Sequence, residues 1–126
     1  DRVRFLGNRS RRSIYSSLKD YDIFLLPSRN EGFGLTVAEA MSAKVPVITC
    51  DREGPMEIIA DGKFGTPFVS GNARSLADAI EKVTRNYPYY ASLASQEAYA
   101  HAVENFSVSR TSIQYLEQYK LLRNGK

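Results

Sequence analysis

Two carboxylates and two glycines share one short segment of this chain, residues 29–41 (RNEGFGLTVAEAM), and by type and spacing these residues could do chemistry. Gly32 and Gly34 let the backbone come close to a ligand. Free N–H groups at a helix start, helped by the helix dipole, favour an anion such as phosphate. Glu31 precedes the glycines, and Glu39 stands in a run that is otherwise almost wholly apolar. Holding an unpaired ion in a protein interior costs roughly several kcal/mol, so Glu39 calls for a partner. Each acid also fits a plainer pattern. Ser28/Glu31 and Thr36/Glu39 both have the spacing of a capping box, in which the pair merely closes a turn. On the residues alone, both readings stand.

The elements that position this segment follow from periodicity. Short apolar runs at 3–6 (VRFL), 23–27 (IFLLP), 45–50 (VPVITC) and 66–69 (TPFV) alternate with helical patterns at 11–20, 35–43 and 55–60. That alternation predicts an α/β fold, a parallel sheet with helices on both faces. The runs are apolar throughout, as strands covered on both sides are. From Ala73 onward the pattern is helical, with Leu76, Ile80 and Val83 on one face and a break at Pro88. Ser107 or Ser109 is expected to cap a last helix whose Ile113, Tyr115, Leu116 and Tyr119 form a stripe in need of a surface. Gly62, Gly65 and Gly71 mark turns. Glu31 and the glycines then fall at the carboxyl end of a parallel strand, where open α/β sheets bind ligands.

Composition narrows the classes. The chain has 126 residues, 43% hydrophobic and 25% charged, which is enough for one modest core and excludes disorder and fibre. No run approaches the ~18 apolar residues of a membrane span, and no leader pattern is present, so the chain reads as cytoplasmic. Cys50 and His101 are each the sole residue of their type. Cys50 is expected as a small buried apolar residue, and His101 as a surface or helix-packing residue; no metal site is expected. The net charge of +3 is uneven, with Arg2, Arg4, Arg9, Arg11 and Arg12 opposed in the first dozen residues only by Asp1. Such a run is either a solvated face or a contact to phosphate or anionic lipid. Nucleic acid is not expected, for no recognition motif accompanies the arginines. The dinucleotide fingerprint G-x-G-x-x-G fails, because Val37 stands where its third Gly belongs and the turn follows a later strand.

The segment 24–51, FLLPSRNEGFGLTVAEAMSAKVPVITCD, resembles the donor-binding signature of the retaining, nucleotide-sugar-dependent glycosyltransferases of the glycosyl transferases group 1 family, which have the GT-B fold. The resemblance extends to VRFLG (3–7), SLKDYDIFLLPS (17–28), the two acids separated by seven residues, GPMEII (54–59), DGKFGTPF (61–68) and FSVSR (106–110). It implies that Glu39 accepts hydrogen bonds from ribose hydroxyls, so that a bound diol is its partner. Glu31 would be the catalytic residue facing the transferred sugar. Backbone N–H groups of Gly32, Phe33, Gly34, Leu35 and Thr36 would cradle the sugar and diphosphate, and Gly7 and Asn8 would meet the base. The resemblance further implies transfer with retention from a nucleotide-diphosphate sugar, a UDP-sugar being favoured, without a cofactor or metal. The acceptor would be a glycan or lipid-linked molecule, in envelope polysaccharide or lipopolysaccharide assembly, with the protein cytoplasmic or peripheral at the inner face of the membrane. Two departures bear on this. The family's diphosphate-binding Arg and Lys and its acceptor domain would precede Asp1, and Glu53 stands where the family often has a Gly pair.

The resemblance implies that residues 1–126 are a single, partial Rossmann-like domain that binds the nucleotide-sugar donor, a fragment of a two-domain enzyme, inactive alone, its sheet incomplete on the N-terminal side and followed by C-terminal helices. In a sheet of order 3-2-1-4-5-6, two strands would be missing between VRFL and IFLLP, which must then pair directly or leave an open edge. An open edge predicts a dimer or strand swap. Two alternatives remain: a NAD-binding oxidoreductase half, and a non-catalytic interaction module of the same fold. A glycosidase, with an acid and a nucleophile flanking the bond, is disfavoured once Glu39 is assigned to ribose.

Overall fold

Runs of apolar residues bounded by Pro27, Pro46 and Gly65 form the three strands of the sheet among the described residues: β1 (Phe24–Leu26), β2 (Val47–Cys50) and β3 (Thr66–Phe68). The computed structural model describes residues 2–124; Asp1, Gly125 and Lys126, the ends of the expected 1–126 domain, lie outside them. The strands are parallel in the order β1-β2-β3, with Leu25 beside Ile48 and Thr49 beside Pro67. Every residue of the central strand β2 is buried, as a parallel strand covered on both faces must be.

Helix α1 (Arg11–Leu18) precedes β1, α2 (Leu35–Ser42) and α3 (Glu53–Ile58) occupy the two connections, and α4 (Ala73–Arg85) follows β3. On one face Val47 packs with Val37, Ala40 and Met41 of α2, with Ile58 of α3, and with Ile59, Ala98 and Ala102. On the other, Ile48, Cys50 and Phe68 pack against Ala79 and Val83 of α4. Fully burying one Ile contributes about 1.5–3 kcal/mol, so Ile58 and Ile59, both wholly buried, anchor α3 firmly to the sheet. α5 (Tyr87–Leu93) runs through a π-helical segment, Ala94–Ala98, into α6 (Tyr99–Phe106), and α7 (Val108–Asn124) ends the chain.

The capping signals behave as their chemistry dictates. Asn72 caps α4 by accepting from the Ser75 N–H at 3.0 Å, and Ser107, rather than Ser109, caps α7 by accepting from the Arg110 N–H at 3.3 Å. Cys50 is buried, and His101, on α6, packs its ring against Phe64 at a centroid separation of 4.4 Å. Asn105 donates to His101 Nδ1 at 3.1 Å, which leaves Nε2 to carry the proton and donate to the Ile58 carbonyl, also at 3.1 Å.

Three expectations change. Residues 3–6 form no strand: Val3 is 70% and Phe5 95% exposed, and among the described residues no strand lies beside them to satisfy their backbone groups. The open-edge outcome follows, with β1 at the margin of the sheet. Gly65 is more than a turn residue, since a Cβ there would lie 2.7 Å from Val47 and 2.8 Å from Ile59. Finally, α3 begins at Glu53, two residues earlier than expected, with Pro55 in its first turn, where its missing N–H costs nothing.

Candidate functional site

The loop Pro27–Gly34 leaves the carboxyl end of β1 and is held by the loops that follow β2 and β3. Arg52 donates through Nε to the Arg29 carbonyl at 2.9 Å. Ser70 donates through Oγ to the Ser28 carbonyl at 3.1 Å, while its N–H donates to Asp51 at 2.8 Å. The start of α3 closes against the same loop so tightly that a Cβ on Gly54 would lie 2.0 Å from the Gly32 carbonyl oxygen. Gly34, at φ +84°, turns the chain into α2, and its α-carbon faces Pro55. The glycine loop is thus backed by protein on one side and exposed on the other.

The N–H groups of Gly32, Phe33, Gly34, Leu35 and Thr36 find no acceptor among the described residues; of these five, all but the buried Gly34 are exposed, and the first satisfied N–H is that of Val37, which donates to the Gly34 carbonyl at 2.8 Å. Unpaired donors at a helix start carry the positive end of its dipole. The arrangement can bind an anion. Phe33 is 43% exposed and meets the edge of Phe106 at a ring separation of 5.9 Å.

Glu31 is half-buried, and Ser28 Oγ donates to its Oε2 at 3.1 Å. This bond joins two side chains in a loop, so the Ser28/Glu31 spacing does not produce a helix cap. Nor does Thr36/Glu39, for the N-cap of α2 is Gly34 and no side chain caps it.

Glu39, one turn into α2, is 21% exposed and already has partners. Arg11 Nη2 lies 3.2 Å from Glu39 Oε1, and the Tyr15 hydroxyl donates to the same oxygen. Tyr15 in turn accepts from Arg11 Nε at 3.1 Å and Nη2 at 2.8 Å. The interaction with Tyr15, its hydrogen bond first, and then the hydrogen bond and charge of Glu39 hold the Arg11 pKa above its ordinary value. The expectation that a bound ligand must supply the partner of Glu39 is therefore corrected: α1 supplies one. Arg11 and Tyr15 were missed as partners, although their i,i+4 spacing places them on one helix face. Arg11, Tyr15 and Glu39, with Leu35 and Phe106, line a cavity of about 820 Å³.

Gly7 and Asn8 are exposed in the leading segment, Gly7 at φ +65°, and among the described residues no hydrogen bond joins them to the glycine loop. The described residues hold no group of three or more metal-ligating side chains and no helix long and apolar enough to cross a membrane.

Residues 1–101 match the family model described as glycosyl transferases group 1. The chain is 35% identical over 101 residues to a probable sucrose-phosphate synthase of Thermosipho melanesiensis, an alignment covering 80% of this chain and 22% of that protein. It is 32% identical over 110 residues to the lipopolysaccharide core biosynthesis mannosyltransferase LpcC of Rhizobium leguminosarum bv. viciae, covering 87% and 30% respectively. Among solved structures, Anabaena HepE in complex with UDP and glucose superposes with a TM-score of 0.85 at 30% identity over 95% of this chain and 32% of that one. Sucrose-phosphate synthase of Thermosynechococcus elongatus superposes over 100% of this chain and 31% of its own with a TM-score of 0.86; at 24% identity it bears on the fold alone. The chain spans between 22% and 30% of the length of these two curated relatives.

Proposed function

The chain belongs to the glycosyl transferases group 1 family, and from that premise we propose that it is the donor-binding half of a retaining glycosyltransferase that takes a nucleotide-diphosphate sugar. The observation that carries this reading is the row of five unpaired N–H groups, Gly32 to Thr36, at the carboxyl end of β1. Such a row suits the diphosphate and the charge that grows on it as the sugar departs. Donors fixed in place before the reaction need no reorganisation when charge develops, which makes this the main contribution to rate. Glu31, held by Ser28, faces the transferred sugar, and Glu39 accepts from the ribose hydroxyls. Gly7 and Asn8 meet the base. UDP is the favoured carrier, in line with the UDP and glucose bound by HepE. The reading assigns charge neutralisation to N–H donors and to cationic groups beyond these residues, without a cofactor or metal.

The acceptor, a glycan or lipid-linked molecule, would bind outside this chain, and envelope polysaccharide assembly in the cytoplasm or at its membrane face is the proposed setting. Arg2, Arg4 and Arg12 are exposed and suit an anionic surface there, whereas Arg11 is engaged by Glu39. The oxidoreductase alternative has weak support, because Val37, in the place of the third glycine, is wholly buried in the core.

Titration with UDP, GDP, UDP-glucose, GDP-mannose and NAD, followed by backbone amide shifts, tests the reading. A nucleoside diphosphate is expected to move the amides of Gly32 to Thr36. Losing a charge-assisted hydrogen bond costs about 1.5–3 kcal/mol, so Glu39→Ala should weaken binding by roughly tenfold or more. Preference for NAD, or no binding by a folded chain, would overturn it.

A further inference from the structure

Helix α1 hangs on the rest of the molecule by its two ends. Leu18, at its C-terminal end, is its sole buried residue among those described. Arg11, at its start, and Tyr15, one turn on, reach across to Glu39, and nine preceding residues, 2–10, are all exposed. The contact is self-satisfied: the phenol donates to the carboxylate and accepts from the guanidinium, which also reaches the carboxylate. A hydroxyl directed at Glu39 Oε1 with a cation behind it has the donor chemistry that a ribose diol would bring to the same oxygen. Oε1 already accepts from both Tyr15 and Arg11, which fills its two lone-pair directions, so a ribose hydroxyl takes that oxygen only by displacing one of them.

We infer that Arg11 and Tyr15 form an intramolecular latch that occupies Glu39 in the free chain, and that a nucleoside must displace it to seat its ribose. The inference rests on the proposed role of Glu39 as the ribose acceptor and adds a conformational step to it. Tyr15 is 39% exposed and the Arg11 side chain 78% exposed, so both can swing into solvent without opening a core. Displacement frees the N-terminal end of α1 while Leu18 keeps its other end seated, so the helix pivots instead of detaching. The ligand affinity then measured is the intrinsic affinity reduced by the fraction of molecules in which the latch is open.

The test compares UDP with 2′,3′-dideoxy-UDP, which keeps the base and diphosphate but lacks the diol, on the unmodified chain and on Tyr15→Phe and Arg11→Gln variants. Thermal unfolding confirms that each variant is folded. Removing the phenol hydroxyl should tighten UDP by roughly three- to tenfold, the scale of one partly exposed charge-assisted hydrogen bond, and leave dideoxy-UDP unchanged. Arg11→Gln should act in the same direction. Unchanged or weaker UDP binding in Tyr15→Phe, with UDP still bound better than its dideoxy analogue, overturns the latch while leaving the ribose role of Glu39 intact. Equal affinity of the unmodified chain for UDP and dideoxy-UDP overturns both, and so marks failure of the underlying reading.

Discussion

At the scale of single residues, unsatisfied polar atoms are where this structure invites a measurement. The Thr49 hydroxyl, on the fully buried strand β2, has no hydrogen-bond partner among the described residues. A buried unpaired hydroxyl costs about 1–3 kcal/mol. Thr49→Val keeps the shape and removes the polar atom, and it should raise the free energy of urea unfolding by about 1 kcal/mol. A loss of that size would show instead that the hydroxyl is bonded through a buried water. Residue types were legible in the sequence where chemistry leaves few choices: the glycine loop, the buried Cys50, the helix-packing His101. Glu39 was legible as a residue needing a partner, yet the partner was misjudged. Arg11 and Tyr15 lie 28 and 24 positions away from it, and a contact across that separation depends on how α1 docks, which no local spacing encodes.

At the scale of elements, the strands after residue 20 and every helix were legible, because each carries its own period and its own stop signals. The run 3–6 has the same apolar character and forms no strand. A strand is completed by its neighbour's backbone, and among the described residues none pairs with this run, which is the open-edge alternative rather than direct pairing with β1. Element junctions also decide the shape of the site. The start of α3 lies against the glycine loop at Gly54, where a Cβ would meet the Gly32 carbonyl at 2.0 Å and Phe33 Cα at 2.6 Å. Both neighbours are backbone and cannot yield as a flexible side chain would. Gly54→Ala must therefore displace the loop or α3, at a cost of about 1–3 kcal/mol typical of overpacking. The expected result is a lower urea midpoint together with shifted amides at Gly32 to Gly34 and weaker UDP binding. Full affinity in a folded Gly54→Ala chain would mean that the loop's position is not what binds the diphosphate.

At the scale of the whole molecule, apolar surface and an open sheet edge coexist. β1 pairs only with β2 among the described residues, and Leu25 at its centre is 39% exposed. Val3, Phe5 and Leu6 of the leading segment are exposed as well, and α7 presents Ile113, Leu116, Tyr119 and Leu122 to solvent. Unpaired edges recruit strands from other chains, and fully covering one of these large side chains contributes about 1.5–3 kcal/mol. These terms together exceed what a micromolar dimer needs, roughly 8 kcal/mol, before the entropy of association is subtracted. The chain on its own should therefore self-associate, and its weight-average mass by static light scattering should rise with concentration. The two surfaces are separable. A charge on an edge strand blocks pairing, so Leu25→Lys should lower the associated fraction if β1 is the seam, whereas Tyr119→Glu should do so if α7 is. A monomer mass held across the whole concentration series would remove both surfaces from consideration and leave the apolar stripe of α7 as solvent-tolerant helix.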